Sequence, residues 1–320
     1  MIEIINWIQG LNPLFFLGVV ILLSLIIVIK SSGLLVYGIS DYAKKLGISD
    51  YITGFIVVSI GTALPELIAA VTGAALGQGK LVFGTIFGSN IFKIPLLGGL
   101  LLIVKKIKTR NDVGGAAPIT TLFIALLPFL LVIDRRLGRI DGVILLLAFL
   151  FYIFKLWKGE GEMGKLKKNV KLASIWKDGL IFIGSLVALL LSARWLVFSS
   201  ISISSQLRIS PYLIGLLIIG VGASLPELMV QYRSIRKHHQ NMATGNVLGS
   251  IVTNSTFVLG VAALIAPFNI SIETLILTFI FMMVGLLYTL IVMLKDKVTW
   301  KHGLVMVSIY VLFLIFEVVL

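Results

Sequence analysis

Two glutamates in the middle of long apolar stretches are the residues of this chain best placed to do chemistry. The first ends the hexapeptide GTALPE at Glu66, and the second ends the hexapeptide GASLPE at Glu227. An ionisable side chain in the middle of a membrane helix is costly and usually functional. We therefore expect Glu66 and Glu227 to act on a charged substrate.

Each of these glutamates directly follows a proline, Pro65 or Pro226. Proline cannot donate a helical hydrogen bond, and its ring crowds the carbonyl four residues earlier. The carbonyls near Gly61 and Gly222 are then freed, and we expect the helix to break at both places. Free carbonyls beside a carboxylate offer only oxygen ligands, which suit hard cations such as Ca²⁺ and Na⁺.

The two glutamates belong to a repeat in which residues of the first half return 161 positions later. Ser89 corresponds to Ser250, and Lys93 corresponds to Asn254. Residues four apart in a helix share a face. We therefore expect Ser89 and Lys93 to lie on one face of the helix after Glu66. Ser250 and Asn254 should lie on the equivalent face in the second half.

The composition indicates a membrane protein. The chain has 320 residues, of which 58% are hydrophobic and only 13% charged, which is unlike a soluble globule. A membrane span needs about 20 apolar residues. Ten stretches are long enough: 14–42, 50–77, 81–104, 116–133, 139–157, 174–203, 211–236, 242–266, 270–294 and 302–320. We predict an all-α integral membrane protein whose ten transmembrane helices form two five-helix repeats, 1–157 and 174–320, joined by a cytoplasmic linker, 158–173.

The distribution of cations predicts the orientation. If the N-terminus lies outside, the inside loops hold 19 of the 27 Lys and Arg residues, the outside loops hold five, and three lie within spans. The positive-inside rule then places both termini outside the cell membrane. The net charge of +13 therefore reflects loop orientation and not a nucleic-acid surface. The partners expected are the lipid bilayer and transported cations, with no obligatory protein partner.

The odd number of spans in each half predicts that the second copy enters the membrane upside down. Inverted repeats recur in secondary transporters, which bind substrate near the midplane where the repeats meet. The sequence contains no nucleotide-binding fingerprint and no HExxH motif, so we predict an ion-gradient-driven transporter without a cofactor, not an enzyme. A gated cation channel or membrane ion sensor with the same oxygen-lined centre is the alternative.

Packing is the other explanation for part of these motifs. Glycine and proline are common in membrane helices. The pairs Gly84-xxx-Gly88 and Gly245-xxx-Gly249 match the small-residue pattern that lets two helices approach closely. Packing does not explain two glutamates at equivalent positions, each after a proline, so we favour a functional role for them.

The two segments resemble the α-repeats of the Ca²⁺/cation antiporter superfamily, most closely the prokaryotic sodium/calcium exchangers. The motif of that family reads GTSLPE, followed further along by GNxxGSN. The resemblance implies exchange of Ca²⁺, or a similar divalent cation, for Na⁺ or H⁺ by alternating access. It also implies the ligands: Glu66 and Glu227 at the centre, Thr62 assisting Ca²⁺, and Ser89, Ser224 and Ser250 lining Na⁺ sites.

The chain departs from that family at four positions. Ala63 and Ala223 replace residues with hydroxyls, Lys93 stands where the exchangers have Asn, and Asn254 stands where they have Asp. A site that would formally carry −3 carries −1 if Lys93 is protonated. A fixed ammonium at roughly 4–6 Å costs a divalent ion several kcal/mol, for an effective dielectric constant near 20.

Lys93 therefore leaves three possibilities open. It points away from the site, or it loses its proton when Ca²⁺ enters, or the substrate is not Ca²⁺. We predict that Lys93 is a built-in counter-cation that reduces the dependence on Na⁺ and allows proton-linked exchange. The alternative is that it snorkels along the third helix and only tunes affinity.

Overall fold

The computed structural model describes residues 13–45, 63–104, 117–159, 175–225, 227, 247–293 and 299–319. This part of the chain forms ten helices and two short strands. The helices are α1 Pro13–Lys45, α2 Leu64–Ala75, α3 Gly79–Val104, α4 Ala117–Leu131, α5 Arg139–Gly159, α6 Ile175–Leu207, α7 Pro211–Leu225, α8 Val247–Ile265, α9 Ile272–Met293 and α10 Trp300–Val319. The strands are β1 Arg136–Leu137, between α4 and α5, and β2 Phe268–Asn269, between α8 and α9.

Several helices have the lengths and surfaces of membrane spans. Among the described residues, five helices are long and apolar enough to cross a bilayer: α1, α6, α8, α9 and α10. Large apolar side chains face outward, for example Leu22 at 62% exposure and Leu191 at 56%. Such surfaces suit lipid, in which helices satisfy their own backbone hydrogen bonds. Each predicted span overlaps one of the ten helices, while the number that cross the membrane stays a prediction.

The two halves of the chain approach closely where α3 crosses α7. A Cβ added to Gly84 would lie 2.2 Å from the carbonyl oxygen of Tyr212, and one added to Gly88 would lie 2.6 Å from the Cα of Leu216. Small residues allow this approach of two backbones. The Gly84-xxx-Gly88 pair is therefore a contact motif, and the contact brings the polar residues of the two halves together.

The predicted helix break near Gly222 is wrong. The α7 helix continues past Gly222, and its irregularity is a π-helical segment at Gly215–Gly220, which ends before Gly222. This segment lies against α3, since a Cβ at Gly220 would be 2.8 Å from the backbone nitrogen of Ser89. A π turn changes the helix locally without ending it. The break predicted near Gly61 lies outside the described residues.

A short strand pair joins the loop after α4 to the loop after α8. The strands are antiparallel, and the backbone nitrogen of Ile270 donates to the carbonyl oxygen of Arg135 at 2.9 Å. Beyond the strands, α5 and α8 touch where a Cβ at Gly142 would lie 2.8 Å from the carbonyl oxygen of Gly260. The register pairs Arg136 with Asn269 and Leu137 with Phe268. The α4–α5 hairpin of one half is thereby fastened to the α8–α9 hairpin of the other.

The orientation stays a prediction, and cysteine labelling tests it. The natural chain has no cysteine, so each single-cysteine variant carries one thiol. We expect a membrane-impermeant maleimide to label Arg136→Cys in intact cells. Lys168→Cys, in the predicted linker, should be labelled only after the membrane is opened. The reverse pattern of labelling would show that the chain has the opposite orientation in the membrane.

Candidate cation site

Both central glutamates lie fully buried around a lysine. Glu66 is in the first turn of α2, Glu227 follows the described part of α7, and Lys93 lies on α3; each is 0% exposed. The Lys93 Nζ atom lies 3.0 Å from Glu227 Oε1 and 3.8 Å from Glu66 Oε1. Lys93 therefore points into the site, and the alternatives in which it points away or snorkels are wrong.

The hydroxyl of Ser89 connects the carboxylate of the first half to polar groups of the second. Ser89 Oγ donates to Glu66 Oε1 at 3.0 Å and lies 2.7 Å from Ser224 Oγ. It also accepts a hydrogen bond from Asn254 Nδ2 at 3.3 Å. Four helices, α2, α3, α7 and α8, thus meet at one buried hydroxyl.

The start of α2 explains how a proline and a glutamate can stand side by side here. The helix begins at Leu64, so Pro65 lies in its first turn, where the missing N–H would have no helical partner in any case. The positive end of the helix dipole also favours a carboxylate there. The sequence therefore places Glu66 where both backbone and electrostatics support it.

The backbone around the site differs between the two halves. The α8 helix contains a second π-helical segment, Thr253–Val258, which carries Asn254. The equivalent part of α3, which carries Lys93, is regular α-helix. The repeats thus differ in local backbone geometry at the same positions where their side chains differ.

Of the predicted ligands, one makes its hydrogen bond away from this cluster and another lies outside the described residues. Ser250 is fully buried, but its Oγ donates to the carbonyl oxygen of Val247 at 3.1 Å, in its own helix. Thr62 lies outside the described residues. Ala63 and Ala223, where the exchangers have hydroxyls, are buried and offer no side-chain oxygen.

A second polar contact beside the cluster was not predicted from the sequence. Asn90 Nδ2 donates to Ser255 Oγ at 2.9 Å, and both side chains are fully buried. Asn90 follows Ser89 in the GSN motif, and Ser255 follows Asn254. Their position in the motifs was the available signal. The contact ties α3 to α8 directly behind the Ser89–Asn254 hydrogen bond.

The chemistry of the cluster suits a hard cation. Glu66 Oε2 and Asn254 Oδ1 are buried and have no hydrogen-bond donor among the described residues. Leaving buried polar atoms unsatisfied is costly, and carboxylate, amide and hydroxyl oxygens are the ligands that hard cations take. Within the same residues, no three His, Cys, Asp or Glu side chains come together. The formal charge of Glu66, Glu227 and Lys93 together is −1.

Comparison with known proteins decides the family. The model of the sodium/calcium exchanger protein family matches residues 16–158 and 178–319, once in each half of the chain. The chain belongs to this family. The resemblance is thereby confirmed, together with the all-α membrane fold built from two repeats.

The alignments with individual relatives cover most of this chain. Inner membrane protein YrbG of Escherichia coli K12 is 32% identical over 258 residues, which cover 77% of this chain and 79% of that protein. Sodium/calcium exchanger MaX1 of Methanosarcina acetivorans is 27% identical over 341 residues, covering 92% and 97%. A solved structure of the sodium-calcium exchanger NCX_Mj superposes with a TM-score of 0.71 at 26% identity, covering 92% and 97%.

Proposed function

We propose that this protein is a secondary active antiporter that exchanges Ca²⁺, or a similar divalent cation, for Na⁺ or H⁺ by alternating access. The observation that carries the proposal is the fully buried pair Glu66 and Glu227, which approach the same Lys93 ammonium from opposite halves of the chain. A relative named as a sodium/calcium exchanger, alignable over 92% of this chain, supports it.

The ligands of the divalent ion would be oxygens from both halves. Glu66 and Glu227 supply carboxylates, and Ser89, Ser224 and Asn254 supply hydroxyl and amide oxygens within the same cluster. Ca²⁺ takes about six to eight oxygens in flexible geometry, so backbone carbonyls and water complete the shell. Thr62 and Ser250 are proposed as further ligands, as the family pattern implies.

The burial of the cluster supports alternating access. Glu66, Glu227 and Ser89 are all 0% exposed, so an ion reaches them only when the surrounding helices move. Transporters of inverted repeats expose a fixed central site to each side in turn by moving one part against another. We place the protein in the cell membrane with both termini outside, as the cation count indicates.

Uptake into proteoliposomes tests antiport against the channel alternative. We expect Ca²⁺ to accumulate against its own gradient when an opposing Na⁺ or H⁺ gradient is imposed, since an antiporter couples the two fluxes. Na⁺, K⁺ and H⁺ gradients are imposed one at a time, with protein-free liposomes as the control. Ca²⁺ flux that only dissipates its own gradient under every condition would identify a channel and refute the proposal.

A further inference from the structure

The candidate site contains a cation that belongs to the protein. The Lys93 ammonium lies 3.0 Å from one carboxylate and 3.8 Å from the other, so it approaches the same pair of oxygens that an incoming ion needs. Its side chain is fully buried. A buried ammonium is stable only with charged or hydrogen-bonding partners, and here those partners are the proposed ligands themselves.

The second half of the chain shows that the fold of the repeat does not need a lysine at this position. The position equivalent to Lys93 is Asn254, which is also 0% exposed and makes its hydrogen bond to Ser89 Oγ. A neutral amide is therefore accommodated at this place in the helix that follows the glutamate motif. The difference between the repeats lies in charge, and charge is what determines how many cations the site holds.

We propose that Lys93 is a tethered counter-ion, whose ammonium occupies the place between Glu66 and Glu227 that a transported monovalent cation would otherwise take. This inference rests on the proposed antiport. When the divalent ion leaves, the ammonium compensates one of the two carboxylates, and one mobile monovalent cation compensates the other. Because buried charges need compensating partners, the site exchanges about one monovalent ion per divalent ion, whereas the two glutamates without the lysine would take about two monovalent ions.

The inference predicts a gain of monovalent-cation binding when the lysine is made neutral. The test compares the parent with Lys93→Asn, with Lys93→Arg, which keeps the charge, and with Lys80→Asn, which removes an exposed lysine from the same helix. Thermal unfolding in detergent is followed as NaCl replaces choline chloride at constant ionic strength. We expect Na⁺ to raise the Tm of Lys93→Asn by about 4 °C more than the Tm of the other three proteins. Equal Na⁺ responses in all four would overturn the inference.

Flux measurements give a second readout. In proteoliposomes the Hill coefficient for Na⁺-driven Ca²⁺ efflux should rise from about one in the parent to about two in Lys93→Asn, because a second Na⁺ must then compensate the carboxylate that the ammonium compensated. Lys93→Gln serves if Lys93→Asn does not fold. If neither neutral variant folds, the Hill coefficient of the parent protein tests the inference. A value near one supports it, and a value of two or more contradicts it.

The two proposals fail in different ways. If no protein in the series exchanges Ca²⁺ or another divalent cation, antiport is refuted, while the Na⁺-dependent Tm still decides whether Lys93 takes the place of a monovalent ion. If Ca²⁺ is exchanged but Lys93→Asn changes neither the Na⁺ response nor the Hill coefficient, antiport stands and the tethered counter-ion is refuted.

Discussion

Replacing either central glutamate by glutamine is expected to abolish Ca²⁺ binding. The cluster of Glu66, Glu227 and Lys93 has a formal charge of −1, so Glu66→Gln or Glu227→Gln makes it neutral. The one remaining carboxylate then faces the Lys93 ammonium, which repels a divalent ion. Removing one partner of a buried charged pair typically costs about 2–5 kcal/mol. That corresponds to a loss of affinity of roughly 30-fold to several thousand-fold.

Calorimetric titration of the purified protein with CaCl₂ measures this loss. The matched control is Glu273→Gln, which removes an exposed carboxylate at the start of α9, outside the cluster. We expect the control to bind Ca²⁺ as the parent does. Ca²⁺ transport that survives in both Glu66→Gln and Glu227→Gln would show that the ligands have been assigned to the wrong residues.

The second large effect is expected at the crossing of α3 and α7. In Gly84→Ala the new Cβ would meet the carbonyl oxygen of Tyr212 at 2.2 Å, with the carbonyl carbon and Cα of that residue at 3.0 and 3.1 Å. These are backbone atoms, so the clash is relieved only if the two helices move apart. Overpacking of this kind costs about 1–3 kcal/mol and occasionally more. We expect the upper end of that range and a loss of transport, because Ser89 and Ser224 meet across the same two helices.

Gly33→Ala is the control for this substitution. Gly33 lies in α1, where an added Cβ has no atom within 4 Å. Alanine is favoured over glycine in helices by up to about 1 kcal/mol, so Gly33→Ala should leave the Tm unchanged or raise it. Thermal unfolding in detergent compares both variants with the parent. A Tm for Gly84→Ala equal to that of the parent would show that α3 and α7 separate at no cost.

Much of this arrangement could be predicted, because the repeat shows which residues are equivalent and the helical period shows which residues share a face. The 161-residue offset identified Glu66 and Glu227 as equivalent, and the structure places both beside one ammonium. The spacing of four between Ser89 and Lys93 predicted a shared face, and both side chains do reach the cluster. Several helix ends within the described residues, for example Leu131 and Arg139, also lie within two residues of the limits predicted from the apolar stretches.

The remaining features depend on contacts between the halves, which an offset does not specify. Equivalence does not tell which atoms touch, so the Ser89–Ser224 contact and the Asn90–Ser255 hydrogen bond were not predicted. Ser250 illustrates a local competition: a serine in a helix can bond a carbonyl of the preceding turn, and its hydroxyl does so. The π segment at Gly215–Gly220 depends on packing against α3, so the proline alone led to the wrong prediction of a break.

The β1–β2 strand pair has a consequence for the proposed alternating access. It joins two loops at one face of the protein, and these loops are not equivalent: the 161-residue offset takes Arg136 to Lys297, whereas its strand partner is Asn269. Two identical inverted copies would open toward either side with equal free energy. Here, opening the face that carries the strands requires the two fastened hairpins to move together or the strands to part. Under the proposed alternating access, the scaffold itself would therefore bias the equilibrium between the two orientations, even when the ion concentrations on the two sides are equal.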